Sequence, residues 1–259
     1  MRDQTVLVTG GGSGIGRAVA LLAAARGARV GVIDLDGGAA EAVAVTCRER
    51  GSPAAAALRC DVTREADVAA AFTSLAQDLG PPAGLFTSAG IDRGGYAHEL
   101  PVEVWERVVA TNLSGTFFAA RAAIQAMLRS GNGGSIVLCS SPAAFAGYSA
   151  GAASAYTASK GGVSALVRSL AIDYARHGIR VNAVVPGATQ TPLMWANVSD
   201  AERASVEEIV RAEVPLGRLA DPEEPAQAVL WLLSGDSSYV TGSHLVCDGG
   251  ILAKASISV

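Results

Sequence analysis

Short runs of apolar, β-branched residues alternate with longer Ala-rich stretches of helical character from one end of the chain to the other. Thr5-Val6-Leu7-Val8-Thr9 reads as a first strand and Arg29–Asp34 as a second. Five more follow at Ala54–Cys60, Ala83–Thr87, Ser135–Ser140, Ile179–Val185 and Ser243–Cys247. Between them the pattern predicts helices near Gly14–Arg26, Gly37–Arg50, Arg64–Leu79, Pro101–Arg129, Ala153–Arg176 and Pro222–Leu233. Strand and helix alternating in this way predict right-handed crossovers and one parallel sheet, a doubly wound α/β fold with helices on both faces. Loops are marked by Gly80-Pro81-Pro82, Gly131-Asn132-Gly133-Gly134 and Pro186-Gly187. The stretch 188–215 is long and lacks a strand, which suggests a lid-like excursion on the rim of a single domain spanning 1–259.

Composition supports that reading and removes several others. Half of the 259 residues are hydrophobic, enough to cover a parallel sheet on both faces. No run approaches the ~18 consecutive apolar residues of a membrane span, so no membrane association is expected. Met1-Arg2-Asp3-Gln4 leads straight into the first strand without a targeting pattern, and a cytoplasmic location is expected. Cys47, Cys60, Cys139 and Cys247 stand far apart with no C-x-x-C pair; they read as reduced thiols, and no metal site is expected. The net charge of -4 argues against nucleic-acid partners, which need clustered cations. Asn197-Val198-Ser199 fits a glycosylation acceptor that has no meaning without a secretion signal.

The first strand runs into Thr9-Gly10-Gly11-Gly12-Ser13-Gly14-Ile15-Gly16-Arg17. Glycines in such a turn bring backbone amides close to a pyrophosphate, and the helix starting near Gly14 points its positive end at the anion. The spacing is G-x-x-x-G-x-G rather than G-x-G-x-x-G. Asp34 ends the second strand, where a carboxylate accepts hydrogen bonds from the adenosine ribose and repels a 2′-phosphate. With Ser at position 13 and Leu35 next to Asp34, no neighbouring basic residue offsets that charge, which indicates NAD rather than NADP. Asp61, in Cys60-Asp61-Val62, is placed to meet the adenine edge or to N-cap the next helix, two roles that are compatible.

Tyr156-Thr157-Ala158-Ser159-Lys160 places a phenol and an ammonium on one helix face. A phenol with an ordinary pKa of about 10 is a poor base at neutral pH, and a neighbouring cation favours its ionised form. Ser140 and Ser141 end the fifth strand, whose C-terminal edge faces the cofactor crevice in this architecture. A hydroxyl there can hold a substrate oxygen as charge develops on it. Asn112 interrupts a strongly helical segment, where its amide can bond freed backbone groups or water.

Thr9–Gly16, Asp61-Val62, Asn112, Ser140-Ser141, Tyr156–Lys160, Asn182-Ala183-Val184-Val185-Pro186-Gly187 and the ending Tyr239–Gly250 resemble the short-chain dehydrogenase/reductase family in order and spacing, over nearly the whole chain. The resemblance implies a catalytic tetrad of Asn112, Ser141, Tyr156 and Lys160. In it Tyr156 exchanges the proton, Ser141 polarises the substrate oxygen, Lys160 binds the nicotinamide ribose and Asn112 holds a water behind Lys160. It also implies cofactor contacts from Gly10, Ser13, Gly14, Ile15, Gly16, Asp34, Leu35, Asp61, Val62, Ala89, Gly90, Pro186, Gly187, Thr189 and Thr191, the last toward the carboxamide. A homo-oligomer, usually a tetramer, is implied as well, with the helices at Pro101–Arg129 and Ala153–Arg176 as candidate interface. The chain departs from the family in having Thr87-Ser88-Ala89-Gly90 where Asn-Asn-Ala-Gly is usual, and in a segment 142–155 that is about two residues longer than usual.

The expected activity is hydride transfer between NAD(H) and a secondary alcohol or ketone, working as alcohol oxidation. Specificity is expected from 91–100, 142–155 and 188–215; Leu193, Met194 and Trp195 could cap an apolar substrate, and Arg93 and His98 could meet a polar group. Three rivals are a NADPH-dependent 3-oxoacyl-type carbonyl reductase, a non-catalytic NAD(H)-sensing protein and a structural subunit.

Overall fold

A computed structural model describes residues 1–147 and 151–254. Seven parallel strands form one sheet in the order β3-β2-β1-β4-β5-β6-β7: β1 Thr5–Thr9, β2 Arg29–Asp34, β3 Ala55–Arg59, β4 Pro82–Thr87, β5 Gly134–Cys139, β6 Ile179–Pro186 and β7 His244–Cys247. Each lies within one residue of the strand expected from the sequence. Successive strand residues feed two separate cores. Leu7, Leu85, Ile136, Leu138, Val181 and Ala183 point to one face, under α3 (Glu65–Leu79), α5 (Gly115–Ser130) and α6 (Ser154–Tyr174). Val6, Val8, Val30, Val32, Phe86, Val137 and Val184 point to the other, under α1 (Gly14–Ala25), α2 (Gly37–Glu49) and α9 (Glu223–Leu233). Period-two alternation on a sheet covered on both sides accounts for strands that are apolar at nearly every position.

The expected helix at Pro101–Arg129 forms in three parts. α4 (Val102–Val109) leads into a π-helical turn at Ala110–Ser114, which continues into α5. That turn is where Asn112 lies, fully buried. α5 stops at Gly131, which takes a left-handed φ of 70° and returns its amide to Met127. The excursion 188–215 has no strand of its own but carries α7 (Pro192–Trp195) and α8 (Arg203–Glu213), and is tied down by a bridge between Thr189 and Ala220. Among the described residues no helix is long and apolar enough to cross a membrane.

Strand order reverses between β2-β1 and β4, so the connections on either side of β1 diverge. A crevice opens there at the C-terminal ends of β1, β4 and β5. At the opposite end of the sheet Arg180 fixes the end of α9. Its Nη2 donates to Leu232 O and Ser234 O at 3.0 and 2.9 Å, and its Nη1 to Ser237 Oγ and Val240 O at 3.0 and 3.2 Å. Arg180→Ala removes a charged donor from all four acceptors, of which Leu232 O, Ser234 O and Val240 O keep a neutral one from Ser135, Ser237 or Asn182. It is expected to cost about 2–4 kcal/mol, seen as a fall of roughly 5–10 °C in thermal midpoint; a midpoint within 1 °C of the parent would contradict this.

All four cysteines are free thiols. Burial pushes Cys47 and Cys60 up to about 11 and raises Cys139 and Cys247 as well. Because the thiolate is the nucleophile, iodoacetamide at pH 8 is expected to leave Cys47 and Cys60 unlabelled until denaturant is added. Labelling of either within minutes in native protein would refute that expectation.

Candidate active site

The glycine loop closes the gap between β1 and α1 by left-handed turns, with φ 64° at Gly10 and 51° at Gly14. A Cβ on Gly10 would lie 2.5 Å from the amide nitrogen of Ala89, and one on Gly16 would run into the Gly10 carbonyl. The loop is therefore packed backbone to backbone against the turn after β4, the close approach that glycine permits. Ser13 precedes α1 without a side-chain cap, so the first-turn amides around Ile15 and Gly16 face the crevice. Asp34 joins β2 to this loop: Oδ2 accepts from the Gly12 amide at 2.9 Å and Oδ1 from the Asp36 amide at 3.1 Å. Leu35, beside it, is exposed.

Two expectations need correction here. Arg59 pairs with Asp34 across β2 and β3, and its Nε donates to the Leu35 carbonyl at 3.2 Å. A cation thus stands beside this end of the crevice, brought by the sheet from a distant point in the chain. Asp61 does not N-cap the next helix, because α3 begins at Glu65 with Arg64 at the cap. Its Oδ1 instead accepts from the Thr63 amide and hydroxyl at 3.0 and 2.7 Å, and the Thr63 hydroxyl holds the carboxyl below its usual range. Val62 is buried against Gly115, where a Cβ would come within 2.8 Å of it.

At the other end of the crevice Tyr156 and Lys160 share the first turns of α6, and both are buried. Lys160 Nζ donates to the Cys139 carbonyl at 2.8 Å and lies 5.6 Å from the Tyr156 ring centroid. Burial lowers the pKa of Lys160, and Cys139 and Asp92 oppose the shift. The thiol of Cys139 is itself held neutral by burial, which leaves Asp92 as the carboxylate acting on this ammonium. Ser140 and Ser141 point differently. Ser140 Oγ faces α6, 2.7 Å from Ser164 Oγ and 3.4 Å from the Lys160 carbonyl, while Ser141 Oγ accepts from the Ala143 amide at 3.2 Å.

Asn112 acts as a clip. Its Oδ1 accepts from the Ile91 amide and its Nδ2 donates to the Ile91 carbonyl, both at 2.9 Å; Nδ2 also reaches Ser159 Oγ at 3.2 Å. The π-turn places this side chain and frees its carbonyl, which accepts from Thr116 Oγ1 at 2.7 Å. Gly90 passes just ahead of the clip; a Cβ there would be 3.3 Å from Asn112 Oδ1 and 3.9 Å from Lys160 Nζ. In the Thr87-Ser88 variation the Ser88 amide donates to the Thr9 carbonyl at 3.0 Å, and buried Thr87 Oγ1 has no partner among the described residues.

After β6, Pro186-Gly187 turns so tightly over the end of β7 that a Cβ on Gly187 would lie 2.6 Å from Asp248 Cα. Thr189 Oγ1 then donates to the Gly187 carbonyl at 2.9 Å, and Thr191 caps α7 through the Met194 amide at 3.3 Å. The Thr191 methyl stands 3.2 Å from where a Gly14 Cβ would be, so the excursion lies against the glycine loop. It is also fastened to the loop after β4, since Asn197 Nδ2 donates to the Asp92 carbonyl at 2.9 Å. That loop in turn pairs with 152–153 through the Gly95 amide and the Ala152 carbonyl at 2.7 Å. The three expected rim segments are therefore linked to one another, although 148–150 of the 142–155 segment lie outside the described residues. Leu193, Met194 and Trp195 form α7, and Arg203 stacks on Trp195 at 5.5 Å. His98 is exposed, 3.4 Å from Glu99. Asp92 had no marker in the sequence: a lone loop aspartate reveals its neighbour Lys160 only in three dimensions.

The family profile described as enoyl-(acyl carrier protein) reductase matches residues 10–252. Over 254 residues, 98% of both chains, the sequence is 39% identical to 2-(S)-hydroxypropyl-CoM dehydrogenase 3 of Xanthobacter autotrophicus. It is 40% identical, also over 254 residues and 98% of both chains, to a 2,5-dichloro-2,5-cyclohexadiene-1,4-diol dehydrogenase of Sphingobium indicum. The fold superposes on a short-chain type dehydrogenase/reductase from Mycobacterium marinum with a TM-score of 0.92, at 34% identity over 98% of this chain and 97% of that one. The chain belongs to the short-chain dehydrogenase/reductase family, and oxidoreductase activity with a nicotinamide cofactor follows from that membership.

Proposed function

We propose that this protein is an NAD-dependent dehydrogenase that interconverts a secondary alcohol and its ketone, with Tyr156 as the proton-exchanging residue. The observation that carries the reading is the buried Tyr156–Lys160 pair at the crevice mouth, with the Lys160 ammonium 5.6 Å from the phenol ring. The residues present fit the cofactor. The glycine loop has amides and left-handed turns for a pyrophosphate, and Asp34 offers a carboxylate at the ribose position. When bound, NAD supplies the hydride acceptor, and the remaining steps belong to the chain.

In the oxidising direction Tyr156 takes the hydroxyl proton of the alcohol as the carbinol hydrogen leaves as hydride. The Lys160 cation, held by the Cys139 carbonyl, favours the phenolate form that can accept it. Ser141 orients the substrate oxygen; the commitment of Ser140 Oγ to Ser164 supports choosing Ser141. Asn112 fixes Ile91, and through it the turn at Ala89-Gly90, against Lys160; a water behind Lys160 would be its further role. Gly187, Thr189 and Thr191 form the wall for the nicotinamide carboxamide. Both named relatives carry an alcohol on a secondary carbon in their printed substrates, which supports the same class here.

Two further proposals concern assembly and cofactor choice. Leu113, Phe117, Phe118, Ala165 and Leu166 line a shallow apolar depression on the outer face of α5 and α6, which suits a homo-oligomer, a tetramer by family resemblance. Asp34 favours NAD over NADP, because a 2′-phosphate would face its carboxylate. The test is turnover of a panel of cyclic, aliphatic and aromatic secondary alcohols with NAD⁺ and NADP⁺ in parallel, with sedimentation of the same sample. Reduction of NAD⁺ at least tenfold more efficiently than NADP⁺ is expected. Turnover with NADP⁺ only, or a monomer in sedimentation, would refute the corresponding part.

A further inference from the structure

The loop that follows β4 is held at three points around Asp92. Asn112 grips Ile91 on both backbone groups, Asn197 of the excursion holds the Asp92 carbonyl, and the Gly95 amide is fixed to Ala152. The backbone at 90–92 passes beside Lys160 Nζ, which a Gly90 Cβ would approach to 3.9 Å. The Asp92 side chain is half-buried in this corner and acts electrostatically on Lys160, yet the two form no ion pair within 4.0 Å. Among the described residues no donor meets its carboxylate. A half-buried carboxylate with acceptor lone pairs, a backbone held at three points and no donor among the described residues is poised for a donor on a ligand.

The charge around it narrows what that donor can be. An ammonium group on a ligand would stand near the Lys160 cation, and a carboxylate or sulfonate would face Asp92 itself. A neutral hydroxyl meets neither objection. We propose that Asp92 is a specificity-determining residue that accepts a hydrogen bond from a second hydroxyl group of the substrate, so that the preferred substrates are diols or polyols. This rests on the dehydrogenase reading above and adds the substrate class. A hydroxyl bonded to a partly desolvated carboxyl acceptor discriminates strongly against an analogue that lacks it, because the acceptor is then left half-buried and unpaired.

The test compares cyclohexanol, the cis and trans 1,2-, 1,3- and 1,4-cyclohexanediols and 3-hydroxycyclohexanecarboxylate as substrates of the parent protein, Asp92→Asn and Asp92→Ala. Thermal midpoints of all three proteins are measured alongside. In the parent, at least one diol is expected to exceed cyclohexanol about tenfold in kcat/KM, with the hydroxy acid below both. Asp92→Ala should bring the diol-to-cyclohexanol ratio to about 1. Asp92→Asn, which keeps a neutral acceptor, should fall between the two. Both variants should raise the hydroxy acid relative to cyclohexanol, a gain that a merely structural defect does not produce. Ratios unchanged in the variants, or a uniform loss on every substrate, would overturn the assignment while leaving the dehydrogenase reading intact. No oxidation of any alcohol by the parent with either cofactor would overturn that reading, and this inference with it.

Discussion

Replacing Tyr156 by Phe is expected to lower kcat/KM for alcohol oxidation by about 10²–10⁴-fold, the range of a positioned general acid–base, while NADH binding changes less than threefold. The substitution removes only the phenolic oxygen. The ring that lies 5.6 Å from the Lys160 ammonium remains, so packing around α6 is retained. Lys160→Met removes the cation instead, and is expected to reduce activity to a similar degree and to weaken cofactor binding as well, because Lys160 is assigned to the ribose hydroxyls. The pair of variants separates proton exchange from cofactor holding. Activity of Tyr156→Phe within fivefold of the parent would remove Tyr156 from the mechanism, and steady-state kinetics with a NADH fluorescence titration decides it.

The second large effect is at Asp34. Asp34→Ser deletes the carboxylate that repels a 2′-phosphate and keeps a hydroxyl near the Gly12 amide. The guanidinium of Arg59 is already fixed on the Leu35 carbonyl beside it. The ratio of kcat/KM with NADP⁺ to that with NAD⁺ is expected to rise about 100-fold or more, as a like-charge contact is exchanged for an available cation. Adding Arg59→Ala should reverse most of that gain. An unchanged ratio in Asp34→Ser would place cofactor choice elsewhere on the crevice.

The sheet was legible in the sequence because its central strands are short apolar runs set between helical stretches, and such runs have few other ways to bury themselves. Val6-Leu7-Val8 and Ile136-Val137-Leu138 are examples, each sending neighbouring residues to opposite cores. The glycine loop and the Tyr156–Lys160 pair were legible because turn geometry and helical spacing are local. What escaped depends on register and distance through space. Arg59 reaches Leu35 only because β3 pairs with β2. Asp61 could be a helix cap on sequence grounds until Thr63 is seen to occupy its carboxylate and α3 to begin at Glu65. Asn112 was visible as an interruption, but the π-turn and its two bonds to Ile91 need the loop after β4 to be in place. Asp92 and Arg180 belong to the same group, since both work on segments far away in the chain.

The most direct test of the central claim follows the hydride itself. Cyclohexanol and cyclohexane-1,3-diol deuterated at the carbinol carbon are incubated with NAD⁺ and the protein, and the reduced cofactor is analysed by mass spectrometry. Transfer of one deuterium per NADH, with a primary isotope effect on kcat/KM and a rate of transfer lowered about 10²–10⁴-fold in Tyr156→Phe, is the predicted result. NADH that binds without any deuterium ever reaching NAD⁺ from these or the other secondary alcohols would contradict the dehydrogenase assignment and favour a protein that only binds the cofactor.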